Sequence, residues 1–496
     1  MKIKISFKHA FSLLFVLQLV FLVACSGNSE LEPKTPGDSN PASGIDTSRV
    51  GSGSRDSVLG GGLYPGGEVL GVHVSDYNDV LQLAFYENSG AIWSRYDRFH
   101  WDLIEPVPQG PPVYDWSSVD ETGLLNAARR GILVTGIVLF TPDYAQKYPG
   151  SVCGPISEEQ LSRFGDFLHA LVQRYSQEPF RVKYWEIGNE PDVNQAFASR
   201  VGFGCWGDPG DPGYGGAYYA EMLKVAYPRI KAADPQAQVL LGGLLLDCDP
   251  RNPPKASADS DELKDCSPAR FLDGVLANGG GDYFDGISFH AYDYYEFEEG
   301  KYSNYNWASS SSTNGVVSIP KTGFILKRLQ AYGISDKYLL NTESGLVCGS
   351  SGKEEGCQSE AFARTKAAYI VHTNTAALSL GLRANIWYSL MGWRGSELVS
   401  ERYLPRPAYD TFQVNFRFLQ QAIFKQVITD YPHFFIYEFD TPQSILWVVW
   451  SKSGLPEPVQ LPYQPRAVYD MYGALLTASQ NLSVDYAPLY IHFWEL

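Results

Sequence analysis

Basic charge is scarce in this chain. Of its 496 residues, 39 are lysine or arginine and 55 are aspartate or glutamate, a formal net charge of −16. That balance excludes nucleic acid as a partner, because its phosphates demand a basic surface. Metal-binding spacings are missing as well. The seven cysteines form no CxxC pair and the eight histidines form no HExxH, so no catalytic metal is expected. No P-loop occurs and no GxGxxG turn follows an early strand, so the phosphate grip of a nucleotide-binding sheet is not expected, and no cofactor is expected either.

What the chain does have is bulk and rings. With 44% hydrophobic and 19% charged residues it can bury a large core, enough for one big domain and a small one. Aromatic residues make up 14%, including 11 Trp and 32 Tyr. They serve core packing, or offer flat faces on which a ligand can stack.

The N-terminus reads as an export signal. Lys2, Lys4 and Lys8 precede the apolar run "AFSLLFVLQLVFLVA", too short for a comfortable membrane span. The run ends in "LVAC", which resembles a bacterial lipoprotein signal with Cys25 as the lipidated first residue of the mature chain. Residues 1–24 are then the signal peptide. Residues 25–67, rich in Ser, Gly, Pro, Asn and Asp without apolar periodicity, form a flexible tether. The expectation is a soluble body anchored by lipid to the outer face of a bacterial membrane.

Six cysteines remain: Cys153, Cys205, Cys248, Cys266, Cys348 and Cys357. An even set in an exported protein points to disulfides, although six cysteines allow fifteen pairings.

Apolar, β-branched runs recur at 69–75, 91–99, 132–140, 181–189, 238–246, 284–292, 337–344 and 382–390. Such near-continuous runs suit strands buried on both faces of a parallel sheet. Helical patterns lie between most of them, at 119–131, 158–175, 217–234 and 360–381. This alternation predicts a (β/α)8 barrel over residues 68–421, with a doubly wound sheet as the runner-up. A barrel puts its chemistry at the C-terminal ends of the strands. Glu190 closes the fourth run and Glu343 the seventh, on opposite sides of the predicted mouth. Two carboxyl groups facing each other across a cleft are what hydrolysis of a glycoside with retention requires: one protonates the leaving oxygen and the other attacks the anomeric carbon.

"WEIGNEPD" on strand four, "NTESG" on strand seven and "SFHAYDYY" on strand six resemble the clan A glycoside hydrolases, as do "HWDLIEP…VYDWSSVD" and "FTPDYA" after strands two and three. Family 39 is the nearest, with family 5 second. The resemblance spans roughly residues 68–420. It implies Glu190 as general acid/base and Glu343 as nucleophile. It also implies Asn189 on the sugar 2-hydroxyl, His290 and Tyr292 orienting the nucleophile, and Trp387 as the aromatic floor of the cleavage point. An arginine near the end of strand two completes the set; Arg95 and Arg98 both qualify, and Arg95 is preferred.

Each remaining cysteine falls in a segment that follows a strand, and on a barrel these segments meet at the mouth. The simplest pairing is Cys153–Cys205, Cys248–Cys266 and Cys348–Cys357, joining neighbouring or identical loops. In the long loops 193–216 and 293–320 and beyond, Trp206, Tyr294, Tyr295, Tyr305, Trp307 and Trp393 are candidates for stacking on sugar faces or for propping up their own loops. After a last helix at 404–423 the pattern turns to alternation, so residues 422–496 read as a small β-sandwich that packs on the barrel. The reading is a retaining glycosidase acting on a polysaccharide or oligosaccharide. Two alternatives stand beside it: a surface lipoprotein that binds glycans without cleaving them, and an enzyme that trims the cell's own exopolysaccharide. Sugar specificity and oligomeric state are not legible.

Overall fold

Eight of the apolar runs become eight parallel strands in the computed structural model, which describes residues 64–197, 203–257 and 260–494. The signal peptide, Cys25 and nearly all of the tether lie outside the described residues. Among the described residues, no helix is long and apolar enough to cross a membrane.

The barrel strands are β1 (Leu70–Val72), β2 (Trp93–His100), β3 (Leu133–Leu139), β4 (Tyr184–Asn189), β5 (Gln238–Leu244), β6 (Gly286–Tyr295), β7 (Tyr338–Val347) and β8 (Ala384–Trp387). Each pairs in parallel with the next, and β8 closes on β1 through Leu70–Asn385 and Val72–Trp387. Every strand is followed by a helix: α1 (Val80–Ser89), α2 (Glu121–Arg129), α3 (Leu161–Tyr175), α4 (Gly216–Ala233), α5 (Arg270–Ala277), α6 (Ser318–Ala331), α7 (Glu360–Ser379) and α8 (Pro407–Leu419). Local chemistry starts several of them. The Asp79 carboxylate accepts from the amides of Leu81 and Gln82 at the head of α1, Ser359 accepts from Phe362 N at the head of α7, and Pro407 opens α8. The expected barrel is thus present, closed and helix-covered.

Strand alternation sorts side chains between the barrel axis and the helices. Trp93, Leu240, Leu340, Ala384 and Ile386 form a separate apolar layer that plugs the lower barrel. One strand repeat above Trp93 comes Arg95, which pairs with Glu186 of β4. The floor of the site is therefore a buried ion pair resting on a hydrophobic plug.

The C-terminal region is antiparallel. Strands β9 (Ile423–Val427), β10 (Phe434–Thr441), β11 (Ser444–Ser451), β13 (Ala467–Tyr469), β14 (Leu475–Leu476) and β16 (Leu489–Phe493) form one sheet, and β12 (Glu457–Gln460) pairs with β15 (Asn481–Val484). Tyr437, Phe439, Leu446, Val448, Trp450 and Tyr490 belong to the barrel's own hydrophobic core. Their alternate neighbours Ile436, Trp447, Val449 and Ile491 build a second core with Val459 and Val484 of the strand pair. The join to the barrel includes His372 of α7 stacked on Trp450 at 4.2 Å and Asn415 of α8 donating to the Tyr490 hydroxyl at 2.9 Å. α7 is consequently buried on nearly every face, sandwiched between barrel and sheet.

Candidate active site

The fourth strand ends in a turn that presents its carboxylate. Gly188 (φ 85°) and Glu190 (φ 52°) both lie in the left-handed region, where a residue with a β carbon sits at some cost. The turn is held by Glu190 N donating to Gly243 O of β5 at 2.9 Å. Gly243 has its own reason to be glycine: a β carbon there would collide with His290 Nε2 and crowd Glu186. β4, β5 and β6 are thus packed closely enough to bring His290 Nδ1 to 2.8 Å from Glu190 Oε1.

Glu343 comes from β7, which does not end there. Expected to close at residue 344, β7 runs on to Val347 and pairs with β6 as far as Tyr294. The two strands rise above the mouth as a wall, because the polar "NTES" segment that reads as a strand end is followed by apolar Leu346 and Val347, both buried. Register brings His290 opposite Glu343. Tyr292 donates from its hydroxyl to Glu343 Oε2 at 2.5 Å, and Arg95 donates to Oε1. Arg95 also reaches Asn189 Oδ1 at 2.9 Å. Arg95 is therefore the strand-two arginine of this cluster. Asn189, Glu190, His290, Tyr292 and Glu343 are all brought together with it.

An oxygen of Glu190 and an oxygen of Glu343 lie within 4.8 Å of each other, with His290 Nδ1 between them at 3.6 Å from Glu343 Oε2. Burial pushes the Glu190 carboxyl well above its usual range, and the nearby charges of Glu343 and Asp192 push it further. Burial also raises Glu343, but the Arg95 guanidinium and the Tyr292 hydroxyl pull it back. The asymmetry leaves Glu190 as the group that keeps a proton and Glu343 as the group that releases one. Burial works against charge on Arg95 too, yet Glu186 and Glu343 hold it protonated. His290 is held neutral, its pKa driven well below the ordinary value by burial and by the charges of Arg95 and Lys321.

Glu190, His290 and Glu343 are also the group of acidic and imidazole donors, among the described residues, close enough together to surround a cation. Their donor atoms are already engaged with one another, with Arg95 and with Tyr292. That is the chemistry of proton sharing, with the Arg95 guanidinium supplying the positive charge beside Glu343.

Trp387 is a correction. It was expected beneath the sugar, but it is 1% exposed, its indole donates to Ser396 O at 2.9 Å, and its ring lies against Tyr369 of α7. Alternation explains why: Ala384 and Ile386 face the barrel axis, so Trp387 faces the helices and the next residue, Tyr388, turns inward. The Tyr388 ring stacks on His73 at 4.8 Å, and its hydroxyl is raised by burial and then by the charge of Glu343. Sequence reasoning passed over Tyr388 and Glu186. For Glu186 the signal was there, a carboxylate inside an otherwise apolar strand.

The loop aromatics divide. Trp206, Tyr295 and Trp307 are buried and prop up their loops, whereas Tyr294, Tyr305 and Trp393 are exposed. Trp393 is 42% exposed, meets the Tyr292 ring edge-on at 5.3 Å and carries the Arg394 guanidinium 5.4 Å from its ring centre, which puts a part-exposed indole beside the carboxylates. The three disulfides are Cys153–Cys205, Cys248–Cys266 and Cys348–Cys357, the expected pairing. The first ties the loop after β3 to the loop after β4. The third lies beside the loop after β8, to which Cys348 N donates at Arg394 O.

No family profile matches the sequence. No curated protein matches it either. Solved structures do match. A family 39 glycoside hydrolase from the gut symbiont Bacteroides cellulosilyticus WH2 superposes with a TM-score of 0.63 at 19% identity, over 88% of this chain and 83% of that one. A glucosidase from Croceicoccus marinus gives 0.53 at 12% identity, over 88% and 96%. The family 30 subfamily 8 xylanase Xyn30A from Clostridium acetobutylicum gives 0.52 at 12% identity, over 86% and 95%. What this chain shares with these glycoside hydrolases is the fold, over most of its length and of theirs.

Proposed function

We propose that the protein is a retaining glycoside hydrolase that cleaves O-glycosidic bonds of a polysaccharide or oligosaccharide by double displacement. The observation that carries the reading is the approach of the Glu190 and Glu343 carboxylates to within 4.8 Å. Retention needs about 5–5.5 Å between carboxyl groups, and inversion needs about 6.5–9.5 Å to admit a water. The glycoside hydrolase neighbours support the same reading, as do Asn189, Tyr388 and Trp393 grouped about the two carboxylates.

In the first step Glu343, ionised beside Arg95 and Tyr292, attacks the anomeric carbon while Glu190 gives its proton to the departing oxygen. A glycosyl ester on Glu343 and a free alcohol result. Esterification removes the negative charge of Glu343, and with it one of the charges that raised Glu190. Glu190, now ionised, takes a proton from water as that water attacks the anomeric carbon. The sugar leaves with its configuration retained, and both carboxyls return to their starting states. In this scheme Asn189, held by Arg95, meets the sugar 2-hydroxyl, where a hydrogen bond strengthens as positive charge develops.

The N-terminal sequence supports export as a lipoprotein anchored through Cys25, with the barrel outside the membrane. No metal or cofactor has a part in the scheme. Hydrolysis of a panel of aryl glycosides and polysaccharides tests the activity. Glu343→Ala should abolish it, and azide should then yield a glycosyl azide of inverted configuration. Absence of that product contradicts the nucleophile assignment.

A further inference from the structure

Lys321 lies in the first turn of α6, where the helix dipole disfavours a cation, and is 4% exposed. Burying an ammonium there is costly unless it is well paired. Its Nζ donates to Leu245 O at 2.6 Å and to His290 O at 2.8 Å. One carbonyl lies just past the end of β5 and the other midway along β6, so the helix reaches inward to hold the end of β5 against β6.

The segment it grips has no sheet partner of its own. Leu245 N and Leu246 N donate to the Asp192 carboxylate at 2.9 and 2.7 Å, and Leu246 O accepts from Trp307 Nε1 at 2.6 Å. Leu246 itself sits at φ 48°. Three side chains, Asp192, Lys321 and Trp307, thus replace the missing ladder. The start of α6 is fixed in turn by Asp293, which accepts from Val317 N at 2.9 Å and from Ser309 Oγ at 2.6 Å.

Resting on the glycosidase reading, we propose that Lys321 is a positioning residue that clamps β5 to β6 behind Glu190 and His290 and supplies, with Asp192, the charge balance that sets when Glu190 gives up its proton. Lys321 touches no reacting atom. It acts through the His290 carbonyl, and through its field. The groups facing it are Glu190 and Asp192 from the turn after β4, Asp247 after β5, and His290 and Asp293 on β6. Burial draws Lys321 down to about 8, against the pull of those carboxylates. Lys321 lowers Glu190 and Asp192 raises it, so the two neighbours oppose each other across the same carboxyl.

The experiment is the pH profile of kcat/KM for wild type, Glu190→Gln, Lys321→Met and Asp192→Asn. Wild-type turnover with an alkaline limb that Glu190→Gln abolishes establishes the parent reading first; if no such limb exists, that reading fails and this one falls with it, whereas a limb that is present but unmoved overturns this one alone. Lys321→Met should move the limb to higher pH by about half a pH unit or more, with kcat falling about tenfold and KM changing little. Asp192→Asn should move it to lower pH. Limbs that stay in place in both variants, even with reduced kcat, overturn the proposal and leave a purely structural lysine. If Lys321→Met does not fold, the direction of the Asp192→Asn limb decides: downward supports the proposal, unmoved or upward overturns it.

Discussion

The hydroxyl of Tyr292 donates to Glu343 Oε2 at 2.5 Å, while Arg95 occupies the other oxygen of the same carboxylate. Glu190 has no comparable pair of donors; its Oε1 faces the imidazole of a neutral histidine. Two identical side chains a few ångströms apart therefore live in different electrostatic worlds. Burial favours the acid in both, but at Glu343 the donors Arg95 and Tyr292 offset it, whereas at Glu190 the charges of Glu343 and Asp192 add to it. The division of labour in double displacement follows from that difference.

Removing the Tyr292 hydroxyl should show it. A hydrogen bond to a charged group contributes about 1.5–3 kcal/mol, so Tyr292→Phe should lower kcat/KM by roughly 10–100-fold. Because the lost donor favoured the anion, the acidic limb of the profile should also rise. Steady-state kinetics across pH measures both effects, and an unchanged acidic limb would show that the hydroxyl does not tune Glu343.

Glu190→Gln should separate substrates by leaving group. Aryl glycosides with acidic leaving groups need little protonation and should retain most of their glycosylation rate, while alkyl glycosides and polysaccharides should lose about 100-fold or more. Equal losses on both classes would contradict proton donation by Glu190.

The same substitution should stabilise the fold. The Glu190 carboxyl is raised well above its ordinary value of 4.5 by burial, so between those two values the native state binds a proton that the unfolded chain lacks. The stability linked to Glu190 is full below the unfolded pKa and is lost as pH rises through the folded one. Glutamine is neutral throughout. The melting temperature of Glu190→Gln should therefore exceed that of wild type, by a margin that widens from about pH 5 to about pH 8. A margin that stays constant would mean that Glu190 is already ionised at about pH 5.

The two tryptophans make a contrast. Trp393→Ala removes an exposed ring beside the carboxylates and should raise KM for polymeric substrate, by about 5–50-fold if a sugar stacks there, with little change in melting temperature. Trp387→Phe removes a fully buried indole and its bond to Ser396 and should lower the melting temperature while KM stays near wild type. Binding and thermal denaturation of the two variants distinguish them.

Cleaving the Cys153–Cys205 bridge, by replacing both with alanine, should cost about 2–4 kcal/mol of stability. Urea denaturation gives that figure. Activity should fall with it, since the bridge holds the loop that follows Glu190.

Much of this architecture could be read from the sequence because strands buried on both faces leave a plain trace. Apolar runs such as 132–140 and 238–246 became β3 and β5, and the polar end of the 181–189 run located Glu190. Cysteine pairing was legible because each partner followed a barrel strand, and such segments converge at one rim. Tyr388 was not legible: β8 has four residues, all buried, so no alternation in the sequence tells which face looks inward. Glu186 carried a signal, a carboxylate inside an apolar strand, but Glu190 four residues later in the same motif drew the reading away from it, and its pairing with Arg95 shows its place on the floor of the site. The extension of β6 and β7 beyond the mouth was hidden because "NTES" is polar for chemical reasons, and polarity within a strand reads as its end.

The central claim is that two carboxylates this close act by double displacement, and stereochemistry tests it most directly. Proton NMR of the first seconds of hydrolysis, on whichever glycoside of the panel is turned over fastest, reports the configuration of the anomeric carbon before it mutarotates. The account predicts a first-formed sugar with the configuration of the substrate; a first-formed sugar of the opposite configuration would contradict it.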